Sequence, residues 1–191
     1  MSSSIKINNL NINSNKLNVI NTAKFVGLSN IGTTSYINDI LQNLINTDFL
    51  TKYLLKENNY NFIMNDQKNF ELCSKYCELL YNICINDLPN KYYEAKNIKE
   101  VISRKNPLFE GAQACDSKDL ISFLLEEMNN ELKKLENNKN NIQSTLSNQM
   151  AELNNFKKYM NENNRSIISK LFHILVESIT HCQKCNNDTY N

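Results

Sequence analysis

The chain has 191 residues, 41% hydrophobic and 21% charged, with Lys+Arg 21 against Asp+Glu 20 for a net charge of +1. That length makes one ordinary domain or a piece of a larger one, with enough apolar content for a buried core. The charge balance offers no electrostatic reason for nucleic acid or an anionic membrane as partner, and no run approaches the roughly 18 apolar residues of a membrane span.

Residues 1–22 are rich in Ser and Asn and are expected to form a disordered tail. Asn, Lys or Ser breaks each of their short apolar runs, so they offer no secretory h-region. The six cysteines are then expected as thiols or metal ligands rather than disulfides, in cytoplasm or nucleus. Asparagine fills roughly a fifth of the chain, a compositional bias that solvated surfaces tolerate and that implies no function.

From Ile37 to about Leu55 the apolar residues Ile37, Ile40, Leu41, Leu44, Ile45 and Leu54 follow a helical spacing. Phe70, Cys73, Cys77, Leu80 and Cys84 form a second stripe, interrupted by Asn86 to Pro89. Leu120, Phe123, Leu124, Met128 and Leu132 share the face of a third helix, with Ser117 after Asp116 as a possible N-cap. Between Glu131 and Asn164 the chain is rich in Asn, Lys and Glu. Ile142, Leu146, Met150, Leu153 and Phe156 recur there at helical steps, which predicts an exposed amphipathic helix or hairpin. Ile168 to Leu175 is apolar, and the alternation from Val176 to His181 predicts a strand. A domain is not expected to end six residues after Cys185, straight after a Cys-x-x-Cys.

Only three glycines occur, and Gly27 and Gly32 lie just before Ser35 in the run GLSNIGTTSYINDILQNL. They permit a loop that delivers a small polar residue to the first turn of a helix. A nucleophile suits that place, because the positive helix end and its free N–H groups stabilise a thiolate or an incipient oxyanion. The same residues also make an ordinary helix start, with Thr33, Thr34 or Ser35 as N-cap.

The run resembles the cysteine box of ubiquitin-specific proteases, Gly-Leu-x-Asn-Leu-Gly-Asn-Thr-Cys-Tyr-Met-Asn-Ser-x-Leu-Gln-x-Leu. Gly27, Leu28, Asn30, Gly32, Thr34, Tyr36, Asn38, Leu41, Gln42 and Leu44 match in register, and Ile31 and Ile37 are conservative replacements. Thr33 replaces Asn, Asp39 replaces Ser, and Ser35 replaces the nucleophilic Cys. The resemblance implies Ser35 at the nucleophile position and Asn30 as the side chain that helps form the oxyanion hole.

A second block, Asn106 to Met128, is similar to the family's Phe-x-x-x-x-Gln-Gln-Asp-Ala-x-Glu-Phe-Leu segment. Asp116 matches the Asp, Asp119 stands for the Glu, and Ala114 and Cys115 replace the Gln pair. In the family this helix lines the cleft for ubiquitin's C-terminal tail. Asp116 is thereby implied as a substrate-binding carboxylate for the tail's arginines, with helix capping as the alternative. A third block, Arg165 to Cys185, looks like the family's Ser-Ile-Ile-x-x-Leu-Phe followed by the first Cys-x-x-Cys of the fingers. Cys182 and Cys185 have the spacing of half a tetrahedral zinc site, so zinc is expected only if a second Cys-x-x-Cys is supplied. Cys73, Cys77, Cys84 and Cys115 are expected to be structural.

The resemblance implies an α+β papain-like cysteine protease fold, of which this chain supplies a mainly α part with the first strands of the β fingers. The expected divisions are the tail at 1–22, a thumb-like helical part at 23–130, the Asn/Lys/Glu-rich segment at 131–164 and the start of the fingers at 165–191. The family's general base is a His in a Gly-His-Tyr-like block beyond the fingers. The two histidines here, His173 and His181, stand in no such block. The sequence therefore predicts a truncated and inactive deubiquitinase-family protein that binds ubiquitin or a partner, weakly, with neither nucleic acid nor membrane. The alternatives are an N-terminal fragment of a thiol-dependent ubiquitinyl hydrolase, with Ser35 inactivating or a serine-type nucleophile, and a helical interaction module without ubiquitin.

Overall fold

A computed structural model describes residues 26–86, 92–111, 113, 115–137, 166–174, 179–186 and 188–190. The tail at 1–22 and the apolar stripe from Ile142 to Phe156 lie outside these residues, as does the start of the alternation at Val176. In chain order the elements are β1 (Gly27–Leu28), α1 (Ser35–Ile45), α2 (Asp48–Leu55), α3 (Glu57–Asn65), α4 (Glu71–Cys84), β2 (Tyr92–Tyr93) and α5 (Lys96–Lys105). A 3-10 turn (Pro107–Phe109), α6 (Ser117–Asn137), α7 (Ile167–Phe172), β3 (Ile179–His181) and β4 (Asp188–Tyr190) follow. The described part is mainly helical, as the apolar spacing predicts.

The stripe from Ile37 to Leu55 forms two helices instead of one. The break falls at Asn46 and Thr47, where side chains take over the backbone bonds of the helix end. Asn46 Nδ2 donates to the Gln42 carbonyl at 2.8 Å, Thr47 Oγ1 to Asn43 at 3.0 Å and Thr51 Oγ1 to Ile45 at 2.7 Å. Satisfied carbonyls let the chain turn without stranding polar groups. Leu50, Thr51, Leu54 and Leu55 of α2 remain buried after the turn.

α4 is the centre of the bundle and packs against α2, α3, α5 and α6. Nine of its fourteen residues are buried, Cys73, Cys77 and Cys84 among them, so the cysteines act as small hydrophobes. Burial pushes the Cys73 and Cys77 thiols well above their ordinary range, with the Glu131 charge adding to the rise. α5 and α6 pack against α4, and Ile98, Val101 and Ile102 of α5 and Leu124, Met128 and Leu132 of α6 are all buried. Each such side chain contributes about 1.5–3 kcal/mol on burial.

Buried polar contacts fix how these helices abut. Phe70 occupies the N-cap of α4 and has no capping side chain. Glu131 of α6 supplies the cap instead, accepting from Leu72 N at 3.0 Å and Cys73 N at 2.8 Å. Lys105, at the end of α5, stands 3.4 Å from Glu131, 2.8 Å from Glu127 and 3.7 Å from Glu71. α6 begins one residue earlier than a Ser117 cap implies: Asp116 Oδ1 accepts from Lys118 N at 2.8 Å, so Asp116 is the N-cap and Ser117 the first helical residue. α7 docks on α2 and α6. Ser166 and Ser169 form its capping box, and the Ser166 hydroxyl donates to Asn129 of α6 at 2.6 Å. β3 and β4 then pair antiparallel, with Ile179 opposite Tyr190 and His181 opposite Asp188.

Candidate functional site

The loop before α1 is held from both sides by its own motif residues. β1 pairs in parallel with β2, Gly27 opposite Tyr92, and Ser29 N continues the ladder to Tyr93 O at 3.0 Å. Asn38 and Gln42 lie one turn apart on α1 and reach back to the entering strand. Asn38 Nδ2 donates to Leu28 O at 3.2 Å and Ser29 O at 3.1 Å, and Gln42 Nε2 donates to Val26 O at 2.8 Å. The sequence pattern matches these residues without showing their task, which is to fasten the strand to the helix.

Within the loop, Asn30 Oδ1 accepts from Gly32 N at 3.2 Å, Thr34 N at 3.0 Å and Thr34 Oγ1 at 3.2 Å. Thr34 Oγ1 in turn accepts from Ile31 N at 3.1 Å. All three of these Asn30 bonds use its carbonyl oxygen, so its amide group, the end that donates, is the one left to face a ligand. Thr34 takes the N-cap position of α1, yet its side chain turns back into the loop and caps nothing. Ser35 is the first helical residue and is exposed. The first turn carries no acidic residue, so the backbone N–H groups there keep their attraction for negative charge.

Two loop residues have left-handed backbone, Gly32 at φ 105 and Thr33 at φ 44. Glycine accepts this freely; a β-branched residue does not. Replacing Thr33 with Asn, which tolerates that region, should raise stability by about 1 kcal/mol, read as a higher urea midpoint at unchanged slope. An unchanged or lower midpoint would mean that the Thr33 side chain's own contacts outweigh the strain.

The second predicted block comes to the same place. α1 and α6 pack together, and the ring of Tyr36, next to Ser35, lies 6.4 Å from Phe109, whose ring lies 5.6 Å from Phe123 of α6. Burial first, with the neighbouring Cys115 thiol adding to the rise, pushes the Tyr36 hydroxyl up to about 12. Cys115 Sγ also lies 3.1 Å from Leu108 O. Asp116 and Asp119 are both exposed at the start of α6, and Asp116 keeps Oδ2 for a ligand while Oδ1 caps the helix. Helix packing and the Tyr36–Phe109–Phe123 ring contacts thereby bring the Asn30–Ser35 loop and the start of α6 together. Beside them a groove of about 810 Å³ opens between Ile31, α5 at Lys99 and Ser103, and Pro107, Glu110 and Gly111. The apolar spacing did not point to α5 and so left this groove unforeseen.

Cys182 and Cys185 belong to the β3–β4 hairpin instead. Both are exposed thiols, joined by a turn in which Asn186 N donates to Cys182 O at 2.8 Å. Hydrogen bonding from the backbone of Cys185 and then Lys184 pulls the pKa of the Cys182 thiol down. No cluster of three or more metal-ligating side chains occurs among the described residues. His173 is the exposed C-cap of α7 and His181 ends β3.

The family described as ubiquitin carboxyl-terminal hydrolase matches residues 26–190. The chain is 29% identical over 171 residues to ubiquitin carboxyl-terminal hydrolase 15 of Xenopus tropicalis, covering 84% of this chain and 17% of that protein. It is 29% identical over 175 residues to the Homo sapiens protein of the same name, covering 83% and 16%. It is 30% identical over 166 residues to ubiquitin carboxyl-terminal hydrolase 4 of Pongo abelii, covering 83% and 17%. The chain thus spans 16–17% of the length of these relatives.

Proposed function

The chain belongs to the ubiquitin carboxyl-terminal hydrolase family, and from that premise we propose that it binds the C-terminal tail of ubiquitin at the Asn30–Ser35 loop and Asp116 without hydrolysing it. One observation carries this reading. The loop keeps its full hydrogen-bonded support, from Asn30, Asn38 and Gln42, although the residue it presents is a hydroxyl rather than a thiol. The binding parts are retained and the reacting atom is changed. Asp116 and Asp119, exposed one turn apart, suit the arginines of the tail.

A second reading, Ser35 as a serine-type nucleophile, is favoured by the uncapped N-terminus of α1, which would receive an oxyanion. Among the described residues, neither His173 nor His181 stands in the α1 or α6 segments, where a base would have to reach Ser35. The Cys182–Cys185 turn fits half of a structural zinc site by its spacing and its two exposed thiols. Two further thiolate or imidazole ligands would close the tetrahedron, and zinc there would rigidify the hairpin.

Titration of isotope-labelled ubiquitin with this chain should move tail resonances with a Kd on the order of 100 μM or weaker, as expected for a fraction of a standard-size interface. Asp116→Lys should abolish the shifts. Sub-micromolar binding, or shifts that survive Asp116→Lys, would sink the proposal.

A further inference from the structure

The 3-10 turn at Pro107–Phe109 has a buried side and an exposed one. Phe109 is 1% exposed, and its ring contacts reach Tyr36 of α1 and Phe123 of α6. Its carbonyl accepts from Ser103 Oγ of α5 at 3.0 Å, so the turn is anchored to three helices. Leu108, one residue earlier, is 59% exposed. A loose backbone does not explain that exposure, because both main-chain groups of Leu108 are held. Its N–H donates to Asn106 Oδ1 at 3.0 Å, and its carbonyl accepts from the Cys115 thiol at 3.1 Å. Cys115 directly precedes Asp116, and one residue adds about 3.8 Å between Cα atoms. The Leu108 carbonyl therefore stands within about 10 Å of the Asp116 backbone.

An arginine side chain has two parts to satisfy. Its guanidinium seeks a carboxylate, and its aliphatic stem seeks apolar surface. Asp116, with Oδ1 spent on the cap and Oδ2 open, and the exposed Asp119 serve the first. A rigidly held leucine in solvent beside them serves the second. We propose that Leu108 is a specificity-determining residue of the tail site, packing against the stem of an arginine whose guanidinium Asp116 holds. The proposal rests on the tail-binding reading and adds to it what makes the site select arginine rather than any cation. Leu108 acts through its apolar bulk, which methionine would keep and alanine would remove. The fold does not depend on that bulk, because Phe109 fills the core position of the turn.

The test titrates isotope-labelled ubiquitin with wild type, Leu108→Ala, Leu108→Met and Asp116→Ala, and reads the converse titration through the leucine methyl groups of this chain. Leu108→Ala should leave the urea midpoint in place, since the side chain is exposed. It should weaken binding roughly three- to tenfold, the scale of one to two buried methylene groups. Leu108→Met should stay within about twofold of wild type. The Leu108 methyl signals should move when ubiquitin binds and stay in place with ubiquitin whose tail arginines are replaced by alanine. If Asp116→Ala loses binding while Leu108→Ala binds like wild type, the role of Leu108 is overturned and the tail-binding reading stands. Leu108→Met as weak as Leu108→Ala, or methyl shifts that survive loss of the tail arginines, would also overturn it. If wild type shows no saturable binding, or Asp116→Ala binds as well as wild type, the tail-binding reading falls and the role of Leu108 falls with it.

Discussion

Replacing Glu131 with alanine should destabilise the domain by about 3–5 kcal/mol, the cost of stranding partners of a buried charge. Glu131 is buried and accepts from both Leu72 N and Cys73 N, the second and third residues of α4. Those amides have no other capping side chain, because the N-cap is Phe70. Truncation strands two buried donors at the start of the central helix and removes a carboxylate that faces Lys105 at 3.4 Å. Burial by itself lowers the Lys105 pKa, but the Glu127 bond and the charges of Glu127 and Glu131 outweigh it and hold the ammonium above its ordinary value. Lys105 is only part-buried and keeps Glu127 at 2.8 Å, so Lys105→Met should cost less, about 1 kcal/mol. Glu131→Gln, which keeps one carbonyl acceptor, should fall between the two. Urea unfolding reads all three, and a loss below about 1 kcal/mol for Glu131→Ala would show that water or a neighbour replaces the cap. Against a typical total of 5–15 kcal/mol, the expected loss places the variant near its unfolding threshold.

Glu131 also shows where the sequence is silent. It opens a stretch rich in Asn, Lys and Glu that reads as solvated, yet its partners belong to a helix start nearly sixty residues earlier. Local pattern carries no trace of such a pairing. The same limit hid the ring contacts from Tyr36 through Phe109 to Phe123, which join two motif blocks each legible by itself. Apolar period was sufficient for α4 and α6, whose buried stripes are long and regular. It failed between Ile45 and Leu50, where apolar spacing runs on while Asn46, Thr47 and Thr51 end the helix through bonds to its carbonyls. It also failed at α3 and α5. α3 is Asn-rich and buries Asn59, Tyr60 and Ile63, and α5 buries Ile98, Val101 and Ile102 beneath charged residues. Both are helices that tertiary packing sustains against weak local preference. Asn30 and Ser35 were legible as positions because the loop motif is dense. The task of Asn38 and Gln42 needed the geometry.

This chain should give no measurable turnover of fluorogenic ubiquitin, and Ser35→Cys alone should not restore it. Ser35 stands at an uncapped helix N-terminus, a field that helps ionise a thiol but leaves a far more basic hydroxyl protonated. A serine nucleophile needs a base within hydrogen-bond reach. His173 closes α7 and His181 stands in the β3–β4 hairpin, whereas the site is built from the α1 loop and the start of α6. Ser35→Cys supplies a better nucleophile without the group that takes its proton and protonates the leaving amine. Removal of a single triad member costs on the order of 10⁴–10⁶ in rate, so gaining the thiol without the imidazole leaves the variant far below a complete enzyme. The helix terminus should still raise the thiolate fraction enough for slow covalent labelling by ubiquitin bearing a C-terminal electrophile. Labelling is expected with Ser35→Cys, none with wild type, and less when Asp116→Lys is added, because capture then depends on holding the tail. Fusing Ser35→Cys to the His-bearing half of a related enzyme should produce turnover. Hydrolysis by the unmodified chain, lost in Ser35→Ala, would instead make Ser35 a working nucleophile and overturn the binding-only reading.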